Sequence, residues 1–439
     1  MKRILSLFLI LLTAVLAHAA NDLVTVGKGF SGTSVNATIF RKNSVVSQGK
    51  WQFVSYYDND GYVCIGKRKI GGKAFTVTRS QYKGNIHDAH NIISIGIDGD
   101  GYLHVAFDHH NNRLHYCRST EPYSTTLGEQ MAMVGNDEEK VSYPEFYSLN
   151  ATDGSHGKSS GDLLFVYRSG QSGQGNLVMN RYDNKTKQWQ RVQNVLIDGE
   201  GQRNAYWQMQ VDGNGVIHLS WVWRETWLVE TNHDLCYACS RDGGKTWQKS
   251  TGEDYQLPIT AANAEYAFRN PQGSELINQT SIAADNNSVP YIATYWKDKT
   301  DAAPQYKVVF KQDGKWTAQN VGRRSQNFSL SGGGTKLIPT SRPQLAITNK
   351  NGKVKAYYIY RDTESGAKVT IASTDDIRSG QWTMAQPHDL VVDAWEPSYD
   401  TNLWNSKHRL SIFVQRVEQG DGEKTVQSPA YDVMLLDYK

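Results

Sequence analysis

Histidines stand where they could move protons. His90 closes the run His87-Asp88-Ala89-His90, and His109 and His110 follow Asp108 further along. Imidazole titrates nearest neutral pH of all side chains, so a histidine cluster with carboxylates beside it suits general acid–base work. Tyr143, in Ser142-Tyr143-Pro144-Glu145-Phe146, adds a phenol, and Arg168, after Phe165-Val166-Tyr167, adds a guanidinium. These types match the demands of β-elimination at a uronic acid: a base for the C5 proton, a cation for the carboxylate and an acid for the leaving oxygen. Hydrolysis more usually needs two carboxylates across the bond. No obvious pair is present, because Asp88, Asp108 and Glu145 read equally well as partners of the histidines.

The elements that must position these groups are strands. Asp98-Gly99-Asp100-Gly101 separates the apolar run 92–97 from the alternating run 102–107, which is a hairpin signal. The hairpin's open ends bring His90 beside His109 and His110. Comparable runs start at Trp51, Tyr102, Leu163, Val216, Tyr291, Val354 and Leu410, at intervals of 51 to 75 residues. Similar turns precede most of them, as at Asp212-Gly213-Asn214-Gly215 and Asn349-Lys350-Asn351-Gly352. Helical periodicity is absent over long stretches. Seven four-strand units predict an all-β, seven-bladed β-propeller as a single domain over 21–439, with strands near 23–26 and 431–436 closing the ring. Ser240-Arg241-Asp242-Gly243-Gly244-Lys245-Thr246-Trp247 matches an Asp-box turn, a device of the outer blade that speaks to fold and not to chemistry.

With the first strand of each blade innermost, its start and the second strand's end share one face near the axis. Six of the seven second strands end in His, Lys or Arg: His109/His110, Arg168, Arg224, Lys297, Arg361 and Arg416; the first blade has Asp58 instead. These residues form a cationic funnel for an acidic ligand. Charges at strand ends also discourage edge pairing, a bland alternative for the Arg and Lys set. The expected assignment is His90, His110, Tyr143 and Arg168 as catalytic residues, with His109, Arg224, Lys297, Arg361 and Arg416 binding substrate. His104, His115 and His218 read as structural.

The 439 residues are 39% hydrophobic and 21% charged, with a net charge of +3. That balance gives no electrostatic footprint for nucleic acid, and a mean hydropathy of −0.57 argues against an integral membrane protein. Residues 1–20, with a Lys-Arg start, an apolar stretch and Ala17-His18-Ala19, read as a secretory signal peptide, so a secreted or periplasmic monomer is expected. The four cysteines are too few for a disulfide scaffold. Cys236 and Cys239 form one C-x-x-C with His233 nearby, which leaves a metal as a minor option. No cofactor is called for.

The segments His87-Asp88-Ala89-His90-Asn91, Phe107-Asp108-His109-His110, Ser142 to Phe146, Phe165 to Gly170 and Trp221-Val222-Trp223-Arg224-Glu225 resemble the BNR-4 propellers. Those include ulvan lyases, rhamnose-glucuronate lyases and a related α-L-rhamnosidase family. The resemblance spans nearly the whole chain after residue 20 and implies catalytic roles at His90, His110, Tyr143, Arg168 and Arg224. Tyr143 and Arg168 stand further apart than the resemblance implies, through an insertion such as 151–160. Rhamnosidase-type members carry a histidine where this chain has Gln48, on the opposite face, and glutamine cannot transfer protons. The expected activity is a lyase acting on rhamnose-α-1,4-glucuronate in an acidic polysaccharide. An α-L-rhamnosidase and a catalytically silent glycan-binding propeller are the alternatives.

Overall fold

A computed structural model describes residues 21–38, 42–153, 155–172 and 174–439; the expected signal peptide lies outside the described residues. Seven antiparallel sheets follow one another around an axis, six of four strands and one of five. The first strands, Val45–Gln48, Ile93–Ile97, Val141–Asn150, Asn204–Val211, Ser281–Ala284, Gln344–Lys350 and Ser398–Tyr399, form the inner ring. The fold is therefore a seven-bladed β-propeller. Most inner and second strands are buried on both faces, which explains their near-continuous apolar runs, as in Ile93–Ile97 and Leu103–Phe107.

The ring closes by pairing the ends of the chain. Asp22–Gly29 runs antiparallel to Tyr431–Tyr438, with Leu23 opposite Leu436. Arg68 then ties the first blade to this closing blade: its guanidinium meets both oxygens of Asp437 at 2.8 and 3.0 Å and donates to Gln52 and Gly72. Its side chain is wholly buried.

A recurring hairpin device fixes the turns on the face away from the histidines. Asp98 Oδ1 accepts from the amides of Asp100 and Tyr102, while Oδ2 meets His104 Nε2, whose Nδ1 reaches the Tyr116 hydroxyl. Asp212, His218 and Tyr237 repeat the same chain. His104 and His218 are thus buried links between turn and blade. In the Asp box, Asp242 accepts from the amides of Lys245 and Thr246 and from the hydroxyls of Ser240 and Thr246, and Trp247 is buried.

The axis is filled rather than open. Glu145 accepts from Lys42 N, Asn43 Nδ2 and Ser94 Oγ there, and burial pushes its carboxyl up to about 8. Glu145 is therefore an axial plug and not a partner of the histidines. The short helix Thr401–Lys407, capped by Asp400, covers the far opening, where Asn402 donates to Ser47 O and Ser148 Oγ. Gln48 lies on that side, donating to Asp98 O.

Arg68→Ala leaves the Asp437 carboxylate buried without its cation and should lower the free energy of urea unfolding by about 3–5 kcal/mol. Arg68→Met combined with Asp437→Leu should recover most of that loss.

Candidate active site

A pocket of about 260 Å³ opens on the face opposite the helix, and His90, His110, Tyr143, Tyr206, Arg224, Asn278, Arg342 and Glu423 line it together with loops 226–231 and 334–338. The chain reaches it by leaving the second blade abruptly. After Phe107, Asp108 takes a positive φ of 66°, and His110–Asn112 becomes an extra strand beside the inner strand of the third blade, His110 opposite Ser142. His110 is therefore carried toward the axis. His109, one residue earlier, turns the other way and is buried; its Nε2 accepts from the His115 amide at 2.8 Å. Burial, and then His115, hold His109 well below its usual pKa. The expectation that His109 binds substrate is corrected on that ground.

His90 and His110 stack, with ring centroids 4.1 Å apart and planes 16° from parallel. Asp88 joins them: Oδ1 lies 2.7 Å from His90 Nδ1 and Oδ2 lies 2.6 Å from His110 Nδ1. Burial alone would raise Asp88, but the bonds from His110 and His90 outweigh it and hold the carboxyl well below the usual range. An ionised carboxylate only accepts, so both Nδ1 atoms carry protons and a neutral ring presents its lone pair at Nε2. Asp88, His90 and His110 are also a metal-ligating set by type. In this structure, however, both Nδ1 atoms donate to Asp88, so the three groups satisfy one another. Glu423, on a loop of the last blade, places Oε1 3.3 Å from His90 Nδ1 and accepts there from the amide and hydroxyl of Thr335, while its Oε2 is buried without a partner among the described residues.

Tyr143 is placed by a bulge. Ser142 pairs with Arg168 but Glu145 pairs with Val166, so an extra residue is accommodated and Tyr143 adopts φ 55°. Such a backbone is costly for a tyrosine and is kept mainly where the surrounding structure holds a functional side chain. Its ring lies 5.7 Å from His90, 6.0 Å from Tyr206 and 4.9 Å from the Arg168 guanidinium. Arg224 lies 5.4 Å from the Tyr206 ring. Burial pushes Tyr143 up, with Arg168 and Arg224 opposing. Burial would do the same to Tyr206, but Arg224 and Arg168 prevail and hold that phenol below its ordinary value.

The arginines differ in what surrounds them. Arg342 is neutralised by Glu396 at 2.6 Å and Lys336 by Asp421 at 2.8 Å. Arg168 meets Ser142 Oγ and Gly170 O, and its Nη1 is buried without a partner among the described residues. Arg224 meets the carbonyls of Thr226 and Trp227 and the amide oxygen of Asn278. Both guanidiniums thus face neutral oxygens; Arg224 lines the pocket, whereas Arg168 is buried against the Tyr143 ring and is not among the lining residues.

Three further residues expected to bind substrate stand elsewhere. Arg168, Arg224 and Arg361 are the last or next-to-last residues of their strands, whereas Lys297 and Arg416 fall one residue past Pro290–Trp296 and Leu410–Gln415. Lys297 reaches Asn327, and Arg416 pairs with Asp393 against the Tyr431 ring. Arg361 is buried behind the pocket wall, donating to Ile338 O and Trp395 O. Cys236 and Cys239 lie three residues apart on one strand, on opposite faces, which removes the shared metal site; His233 is held by Glu225 and Asp234. Asp108 caps the amide of Asn85. Sequence reasoning missed Tyr206, Asn278, Arg342 and Glu423. Tyr206 was within reach, because it stands two residues past Asn204 on the inner strand whose partner ends at Arg224.

A family model described as BNR repeat-containing family member matches residues 51–324. The chain belongs to this family. No curated protein matches it in sequence. Among solved structures, the polysaccharide lyase Uly1 is similar to this BNR repeat protein with a TM-score of 0.66 and 13% identity, over 95% of this chain and 99% of that one. An ulvan lyase of family PL25 gives a TM-score of 0.65 at 14% identity, over 94% and 96%. The same kind of lyase bound to -[GlcA(1-4)Rha3S]- gives 0.64 at 14% identity. At these identities the likeness is one of fold.

Asp88 has a depressed folded pKa, so its stabilising contribution is present above the unfolded value, about 4, and is lost as the pH falls through the folded one. The stability difference between the protein and Asp88→Asn should therefore be constant above about pH 5 and shrink below about pH 4. A near-ultraviolet titration should show one phenolate appearing below the ordinary tyrosine range, absent in Tyr206→Phe and shifted upward in Arg224→Ala.

Proposed function

We propose that this protein is a polysaccharide lyase that cleaves rhamnose-α-1,4-glucuronate linkages by β-elimination. The observation that carries the reading is the juxtaposition of the Asp88-bridged histidine pair with Tyr143, beside two guanidiniums whose partners are all neutral. Arg168 and Arg224 receive the uronate carboxylate and make the C5 carbanion tolerable. His110, exposed at the pocket with Nδ1 donated to Asp88, takes the C5 proton on Nε2. The electron pair left at C5 forms the C4–C5 double bond as the C4–O bond breaks. Tyr143, kept protonated by burial, gives its proton to the departing rhamnose oxygen. Tyr206 shares the same two guanidiniums and holds the tyrosine pair's charge balance.

The fold likeness to polysaccharide lyases, one of them bound to a glucuronate–rhamnose unit, supports the substrate class. Hydrolysis receives less support: Asp88 is committed to both histidines, and among the described residues Glu423 is the one carboxylate left on the pocket wall, where two are usually needed across the bond. The leading residues 1–20 fit export, and no helix among the described residues is long and apolar enough to cross a membrane. A secreted or periplasmic monomer working without a metal completes the proposal.

Incubation with a rhamnose-α-1,4-glucuronate oligosaccharide should release rhamnose together with a 4,5-unsaturated uronate that absorbs in the near ultraviolet. His110→Ala, Tyr143→Phe and Arg168→Ala should each lower turnover by roughly 10²-fold or more, and a Gln48 variant should not. Rhamnose without that absorbance would favour a hydrolase, and binding without products a silent glycan-binding propeller.

A further inference from the structure

Trp227 is an anomaly among the tryptophans of this chain. Trp221, Trp223, Trp247, Trp296 and Trp395 are fully buried, yet Trp227 is 63% exposed at the rim of the pocket. A large apolar ring left in water at such a place is a ready contact for a ligand. It is also built rather than loose. One side of the indole rests on Gly333, where a Cβ would overlap Cε3 and stand only 2.7 Å from Cζ3, so only glycine admits the ring. Its loop is braced at both ends: Val229 N donates to Gly332 O at 2.8 Å, Gly332 N donates to Glu230 at 2.9 Å, and the Thr231 hydroxyl donates to Leu228 O. The backbone carbonyl of Trp227 accepts directly from Arg224.

We infer that Trp227 is a sugar-stacking platform, forming a subsite for the neutral deoxyhexose that follows the bound uronate on its reducing side, the unit that a rhamnose-α-1,4-glucuronate disaccharide lacks. The inference rests on the lyase reading, since Arg224, the guanidinium proposed to hold the carboxylate, donates to the Trp227 carbonyl and so lies beside the platform. The axial C–H face and the methyl group of a deoxyhexose are apolar and fit a flat indole, while Arg224 faces the acidic neighbour. Extended chains are therefore gripped at two points and disaccharides at one. Because the platform is preformed, it contributes to binding and not to the chemical step.

The test uses the full-length protein with a disaccharide and a hexasaccharide of alternating rhamnose and glucuronate. The intact protein should show a KM about tenfold lower for the hexasaccharide than for the disaccharide, within what an aromatic contact can contribute. Trp227→Ala should abolish that advantage with kcat changed less than about twofold, and Trp227→Phe should restore part of it. Gly333→Ala, at a residue whose backbone lies outside the left-handed region, should act like Trp227→Ala by pushing the indole away. An undiminished length advantage in Trp227→Ala, or a loss confined to kcat, would overturn the platform. If no unsaturated product forms with the intact protein, the lyase reading fails separately. The platform is then judged by calorimetry and by quenching of tryptophan fluorescence on adding the hexasaccharide. Binding with quenching that disappears in Trp227→Ala supports it; binding without such quenching, or no binding, overturns it.

Discussion

The site depends on one carboxylate serving two imidazoles. Asp88 is largely withdrawn from solvent, and an ionised carboxylate there is tolerable only because both oxygens are matched by donors. It also accepts from the backbone amide of His90 at 2.9 Å, so the same side chain folds its own loop. The consequence is a fixed tautomer on both rings and a stacked pair whose Nδ1 atoms are already committed. In the proposed reaction it is His110 Nε2 that exchanges the proton. A pair of histidines without this acceptor would repel on protonation and splay apart.

The propeller supplies everything else through strand ends. Blades two and three share the short strand His110–Asn112, which takes one histidine across a blade boundary and puts it beside the bulge that carries Tyr143. Blade four adds Tyr206 and Arg224 in neighbouring strands, and blades five to seven close the wall with Asn278, Arg342 and Glu423. The loop before the inner strand of blade six is linked to the long loop of blade seven at the rim, with Gly422 N donating to Thr335 O and Lys336 paired to Asp421. A pocket assembled from so many blades can be altered at one strand end without disturbing the ring, which is how one fold can host different chemistries.

Much of this was legible in the sequence, because strand period and turn chemistry are local. The Asp-Gly turns and alternating runs gave the blade count, and the second strand Trp51–Tyr57 coincides with the run read from sequence. His90, His110, Tyr143, Arg168 and Arg224 could be placed near one another because hairpin ends meet. The rest required knowledge of local irregularity. His109 and His110 were both placed at the site, as substrate-binding and catalytic residues, and the positive φ at Asp108 decides that only His110 faces the axis. Lys297 and Arg416 lie just past their strands and are held by local partners, Asn327 and Asp393, and Glu423 comes from a long loop whose path no pattern encodes.

The central claim is that this pocket removes the C5 proton of a uronate. The direct measurement is the kinetic isotope effect on kcat/KM with glucuronate deuterated at C5, run in water enriched in oxygen-18 with mass analysis of both products. The account predicts a primary isotope effect, diminished turnover but the same products in Tyr143→Phe, and no oxygen-18 in either sugar. Equal rates for the two isotopologues, with oxygen-18 appearing in the released rhamnose, would contradict it and assign the pocket to hydrolysis.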